Sequence, residues 1–210
     1  EQAYYIDVVA YPDITLGIEQ VAEGTYTPTH QYKNKFRLGG VKLTLDGSPQ
    51  GKTAWLTKCY HVNPEGRTGC YEGYPIMDDD KATEYVKTAF KNKWQILCHS
   101  NGDAAIDQYI KAVGAAEKEF GYLDHRTVLI HGQTLRKDQI PELVELSILP
   151  SLFPMHTFYW GDWHKESVLG EPRADYISPC RDVIDAGLHI TMHQSPFLTQ
   201  CAYWMLLLTV

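Results

Sequence analysis

Three short apolar runs in this chain end in histidine: "QILCH" at His99, "TVLIH" at His131 and "LHITMH" at His193. A fourth, "GGVKLTL", holds Lys42 inside an otherwise apolar stretch. Neutral imidazole is a good zinc ligand, and the mouth of a parallel sheet or barrel can collect ligands from well-separated strands. A single strand-end histidine is more often a hydrogen-bonded structural residue. Two of them one strand–helix unit apart, His99 and His131, bring a metal site level with that plainer reading. Lys42 is costly to bury as an ammonium, so it needs a partner or a modification. The simpler alternative is that it reaches out at the strand end and pairs with Asp46.

The elements that must position these groups follow from the hydrophobic periodicity. Strands are expected at 5–11, 41–45, 95–99, 127–131, 148–153 and 188–193. Ala82, Tyr85, Val86, Ala89 and Phe90 recur at helical spacing behind the acidic run Asp78-Asp79-Asp80, which suits a helix N-terminus. Ala105, Ile106, Tyr109, Ile110, Val113 and Ala116 form a second helical face. Ile140, Leu143, Val144 and Leu146 form a third, and Val183-Ile184 precede Gly187, a plausible C-cap. The Asn101-Gly102-Asp103 turn reverses the chain after His99, with Asp103 expected to cap the helix that follows.

Such alternation implies an α/β fold with a parallel sheet covered on both faces. Six strands fit either a doubly wound sheet or part of a (β/α)8 barrel. No GxGxxG or Walker pattern follows any strand, which weakens the nucleotide-binding version. In both architectures active-site groups gather at the C-terminal ends of the strands. Segments 60–75 and 158–172 read as long loops that carry function or cap a site. Alternation along the strand turns Cys98 away from His99, toward the covering helices.

The chain has 210 residues, 26 acidic against 19 basic, and a net charge of −7. No segment concentrates Lys and Arg as phosphate binding requires, which argues against a nucleic-acid partner. No 18-residue apolar span is present, so no membrane helix is expected. The five cysteines form no CxxC pair and are odd in number. Reduced thiols are therefore expected, and with them a cytoplasmic location. No methionine opens the chain, which suggests a piece of something longer.

Four blocks resemble one family. "GGVKLTLDGSPQGKTAWL", "ILCHSNGDAAIDQYIKAV", "HRTVLIHGQTLRKDQIPELVELSILPSLFPMHTFYWGDW" and "GEPRADYISPCRDVIDAGLHIT" run in the order found in the metal-dependent amidohydrolase superfamily. The resemblance is to its amidohydrolase 3 branch, which includes YtcJ-like proteins and N-substituted formamide deformylases. It implies a (β/α)8 TIM barrel with one or two divalent ions, usually zinc, at the C-terminal mouth. Residues 1–210 would then be a partial barrel domain, about strands three to eight, lacking the first strands and the small β-sandwich. Lys42 resembles the fourth-strand lysine that such enzymes can carry as a carbamate, and His99 and His131 the fifth- and sixth-strand metal ligands. His156 resembles a seventh-strand histidine facing substrate, with His193 and Trp160 as further substrate contacts. The implied reaction is hydrolysis of C–N bonds in small amides, formamides or cyclic amides by a metal-activated water.

Two departures qualify it. The chain contains no HxH pair, the family's first-strand ligands. Where the family places an aspartate after the eighth strand, this sequence reads "MHQSPF". Either the base is lost, or residues are missing between Gln194 and Pro196. The fragment alone is expected to be inactive, and open barrel edges would favour self-association. The rival from another class is a metal-free barrel that binds a small ligand or a partner. His125, His164, His61 and His30 carry no signal and are expected at the surface, as is Arg126.

Overall fold

In a computed structural model of the chain, residues 4–24, 27–121 and 124–193 are described. The elements run β1 (Val8–Ala10), α1 (Ile14–Ala22), β2 (Phe36–Leu38), β3 (Gly40–Thr44), α2 (Asp79–Lys91), β4 (Gln95–Ser100) and α3 (Asp103–Phe120). They continue with β5 (Val128–His131), α4 (Ile140–Glu145), β6 (Leu149–Leu152), α5 (Met155–Trp163), α6 (Cys180–Asp185) and β7 (Thr191–Met192). Strands β3 to β7 form one parallel sheet in chain order, and β1 pairs in parallel with β2. Parallel neighbours need crossovers, which α2, α3 and α4 supply.

Each of the six expected strands has an observed counterpart: 41–45 is shifted by one residue, 95–99 runs one residue longer, and the other four are shorter. The additional strand, β2, is separated from β3 only by Gly39, so 36–44 runs as one line beside β1. Gly39 donates to the Ala10 carbonyl at 2.9 Å and Lys42 to the Pro12 carbonyl at 2.8 Å, which ties that line to the chain leaving β1.

Register and pleat decide which side chains meet. Lys42 lies opposite Leu97, His99 opposite Ile130, and Ile130 opposite Ser151, so these residues share one face of the sheet. Val41, Leu43, Ile96, Cys98, Leu129 and Leu152 belong to the other face, where they are at most 1% exposed and pack with Ala89, Phe90, Ile106, Tyr109 and Val113 from α2 and α3. Cys98 is thus a core thiol, as alternation requires.

Helix α2 starts where its acidic run predicts: Asp78 accepts from the Lys81 amide at 2.8 Å, and Asp79 and Asp80 occupy the first turn. At α3 the expectation fails. Gly102 is the N-cap and Asp103 is already helical, with no side-chain cap. A Cβ on Gly102 would collide with the Trp55 carbonyl, so glycine is required by close approach. The Asp103 carboxylate instead accepts from the Thr57 amide and hydroxyl and pairs with Arg136.

Residues 155–163, expected mostly as loop, form α5, and a π-helical turn, His164–Val168, continues it. The 60–75 loop folds back on itself. Leu56 donates to the Glu72 carbonyl, Tyr60 to that of Tyr71, and a disulfide joins Cys59 to Cys70. This corrects the expectation of reduced thiols for Cys59 and Cys70, while Cys98 and Cys180 are free, and it removes the basis for a cytoplasmic location. The clipped loop docks through His61 and Val62 onto the carbonyls of Val168 and Ser167, over a small core of Leu56, Tyr60, Val168, Leu169 and Ala174. Among the described residues no helix is long and apolar enough to cross a membrane.

Candidate metal centre

By strand alternation His131 should share the buried face of Leu129, since it lies opposite Ser100 rather than His99. It does not, because its φ is 78°, a left-handed conformation uncommon for a residue with a Cβ. Such a conformation costs on the order of 1–3 kcal/mol and persists where the surroundings over-determine it. The ring meets His99 edge-on at a centroid distance of 4.6 Å and His193 at 4.8 Å. Leaving the strand conformation at its last residue brings three strand ends to one point.

Each of the two candidate ligands has one ring nitrogen committed. His99 Nε2 lies 3.0 Å from the Gly47 carbonyl and 3.2 Å from Asn101 Nδ2; in the tautomer that donates to Gly47, Nδ1 carries the lone pair. His131 Nδ1 lies 2.9 Å from His193 Nε2, and His193 Nδ1 lies 3.0 Å from Ser151 Oγ. With Ser151 accepting from His193 and His193 accepting from His131, Nε2 of His131 carries its free lone pair. Histidine ligands are characteristically oriented through the second ring nitrogen in this way. Burial first, then neighbouring positive groups, keeps these rings neutral: His131 is held down to about 2 and His193 to about 4, and His99 is lowered too. Neutral imidazole is the ligating form.

Lys42 shares their face and forms no ion pair within 4.0 Å among the described residues. Burial lowers its pKa, and the neighbouring Cys98 opposes this weakly. The alternative pairing with Asp46 is not observed. That carboxylate is 1% exposed and accepts from the amides of Trp55, Asn101 and Gly102 at 2.7–3.0 Å. Burial still raises it to about 6. Asp46 holds the β3 and β4 loops together beneath the histidines.

Helix α5 supplies the opposite wall. His156 is buried against Phe153, with ring centroids 4.0 Å apart, and Trp160 follows one turn later. His156, Trp160, His99 and His131 line one cavity of about 270 Å³ together with Gln50 and Asn101. Lys42 and His193 are not among the cavity-lining residues. Trp163, by contrast, faces outward and donates to the Gln50 carbonyl at 3.1 Å.

The fit of a cation can be judged from the donors. Two neutral imidazoles with oriented lone pairs and one lysine freed of its counter-ion suit a divalent ion if the lysine carries an anionic oxygen. Among the described residues the one trio of His, Cys, Asp or Glu ligand atoms within 4.8 Å of one another is Cys59, Cys70 and Glu72. Its sulfurs are bonded to each other, so it offers no thiolate. The histidine site is therefore a partial ligand set among the described residues, and the "MHQSPF" segment beyond His193 lies outside them.

Two histidines expected at the surface are buried. His125 accepts from the Thr127 amide and contacts Glu117 at 2.9 Å; His164 is 0% exposed and contacts Gln133 at 2.7 Å. Both partners are remote in sequence or unremarkable in type, so no local signal marks them. Asn101 and Gln50, absent from the sequence-derived site, sit in turns whose composition reads as plain loop. Arg126 is exposed and pairs with Asp124.

Three comparisons bear on this geometry. The chain is 29% identical over 119 residues to Protein LONG AFTER FAR-RED 3 of Arabidopsis thaliana, covering 57% of this chain and 20% of that protein. It is 26% identical over 116 residues to the putative amidohydrolase YtcJ of Bacillus subtilis, covering 55% and 20%. The chain thus spans about a fifth of the curated relatives it matches. A crystal structure of an uncharacterized metal-dependent hydrolase from Pyrococcus furiosus superposes with a TM-score of 0.73 at 24% identity, over 90% of this chain and 36% of that one. That likeness establishes the α/β fold. Residues 1–195 match the Amidohydro_3 family, described as an amidohydrolase family, and the chain belongs to it.

Proposed function

We propose that this chain is the strand-three-to-eight part of a (β/α)8 amidohydrolase barrel whose metal centre is held by Lys42, His99 and His131. The observation that carries this reading is the edge-on approach of His99 and His131 at 4.6 Å, achieved by a left-handed His131. His99 Nδ1 and His131 Nε2 are the nitrogens left to an ion. Burial disfavours the Lys42 ammonium, and the free amine can add carbon dioxide: its nitrogen attacks the carbon, a proton leaves, and the carbamate oxygen would serve as the third, anionic ligand. A divalent ion, zinc by ligand preference, supplies Lewis-acid polarisation of a carbonyl and acidification of water when bound.

The chain's own residues then set geometry. His193, braced by Ser151, fixes the tautomer of His131. His156 and Trp160 bound the space in which a small amide, formamide or cyclic amide would lie. The family's eighth-strand base has no counterpart among the described residues, so no group is assigned that role.

The test is hydrolysis of an N-substituted formamide, before and after chelation, by a longer protein that carries this chain together with the HxH ligand pair it does not contain. Activity lost on chelation and restored by zinc supports the reading; a rate indifferent to chelation contradicts it. The second reading, a metal-free barrel that binds a small ligand, rests on "MHQSPF" standing where the family has aspartate. Ligand binding without any metal uptake would favour it.

A further inference from the structure

Among the described residues, four polar atoms around the cavity are buried with no hydrogen-bond partner: Gln50 Oε1, Asn101 Oδ1, Trp160 Nε1 and His156 Nδ1. Buried polar groups in folded proteins are nearly always satisfied, so four exceptions around one cavity of about 270 Å³ point to a ligand that completes them.

Asn101 and the Gln50 backbone are held in place. Asn101 Nδ2 donates to the Gly47 carbonyl at 2.9 Å, and an inverted amide would place oxygen against oxygen. The Asn101 backbone is pinned as well, its amide on Asp46 and its carbonyl accepting from the amide and hydroxyl of Thr134. With Nδ2 donating to Gly47, Oδ1 is the acceptor left over. Gln50 is tied to α5 through its own carbonyl, which accepts from Trp163, and α5 is the helix that carries Trp160. The indole of Trp160 can only donate.

We propose that Gln50 Oε1 and Asn101 Oδ1 are specificity-determining acceptors that read the N–H groups of a small carboxamide or urea, while the Trp160 indole donates to its carbonyl. The proposal rests on the reading of this cavity as the substrate site. It names residues that the metal chemistry does not require. A ketone or ester of the same shape leaves both amide oxygens unpaired, and a carboxylate sets negative oxygen against them. The cavity thus favours the amide over the acid that hydrolysis would release.

Benzamide, acetophenone and benzoate, three probes of closely similar shape, separate these cases. Binding is measured by calorimetry or ligand-observed NMR on metal-free protein, so the result does not depend on the ion. Benzamide is expected to bind at least about tenfold tighter than either analogue, because a site built around N–H donors rejects ligands that lack them. Gln50→Met and Trp160→Phe should each reduce that preference severalfold while leaving the thermal melt and the metal content unchanged. Equal binding of benzamide and acetophenone, no binding of benzamide, or an undiminished preference in correctly folded Gln50→Met protein would each overturn the proposal. An intact preference in protein that takes up no metal when supplied with zinc would instead count against the metal-centre reading alone.

Discussion

The two ends of the sheet treat their polar groups in opposite ways. At the N-terminal end, Tyr11 donates to the Gln95 side chain at 2.6 Å, and Gln95 donates onward to the Arg126 carbonyl at 2.8 Å. His125 there joins Glu117 to Thr127. Toward the C-terminal end, among the described residues, Lys42 in mid-β3 has no counter-ion, and Gln50, Asn101, Trp160 and His156 hold unpartnered atoms. Satisfied networks add stability, whereas unsatisfied ones lower it and are kept where a ligand completes them. One end of this sheet is built to hold, the other to bind.

Substitutions and pH should break the two ends differently. The largest effect is on pH dependence. His131 is held near 2, and His156, His164 and His193 near 4, all below the ordinary histidine value of 6.5, with burial the leading cause in each. A folded base with a depressed pKa binds fewer protons than the unfolded chain, so stability is complete above about pH 6.5 and falls as pH drops below it. Metal-free protein should lose on the order of several kcal/mol between pH 7 and pH 4, a loss that urea melts at graded pH would record. A flat profile would mean that these rings are not neutral by burial.

Next in size, His193→Ala should weaken metal binding about 10–100-fold, as removal of a ligand-orienting group commonly does. A chelator-competition titration measures it, and an unchanged affinity would remove His193 from the chain of contacts through Ser151. At the opposite end, His125→Ala should cost about 1–3 kcal/mol by stranding the Thr127 amide, with no change in metal affinity. Smallest is Lys42→Met, which should stabilise metal-free protein by about 1 kcal/mol or less, because it removes a buried amine that lacks a partner. Destabilisation there would show that Lys42 has a structural partner.

The histidine-bearing strand ends were legible because continuous apolar runs mark buried parallel strands. What periodicity could not convey was that His131 falls on the wrong face of β5 and is recovered only by its backbone conformation. Residues 155–163 escaped recognition as helix because aromatic and polar residues are spread around it, with no apolar stripe to read. Helix α1 is short, and β2 is a three-residue strand. The Cys59–Cys70 bond was hidden by an odd cysteine count and by a loop whose return could not be foreseen. His125 and His164 owe their burial to Glu117 and Gln133, contacts set by tertiary packing rather than by neighbouring residues. Asp103 sits at a helix start, as its type suggests, yet Thr57 and Arg136 claim its carboxylate.

The central claim is that Lys42, His99 and His131 together hold a divalent ion. Elemental analysis of the purified protein, read beside His99→Ala and His131→Ala and with an intact mass on each sample, tests it most directly. The account predicts zinc or another divalent metal in the parent protein, its loss in both variants, and a carbon dioxide adduct on Lys42. Metal retained in both variants, or a parent that takes up none when supplied with zinc and carbon dioxide, would contradict it.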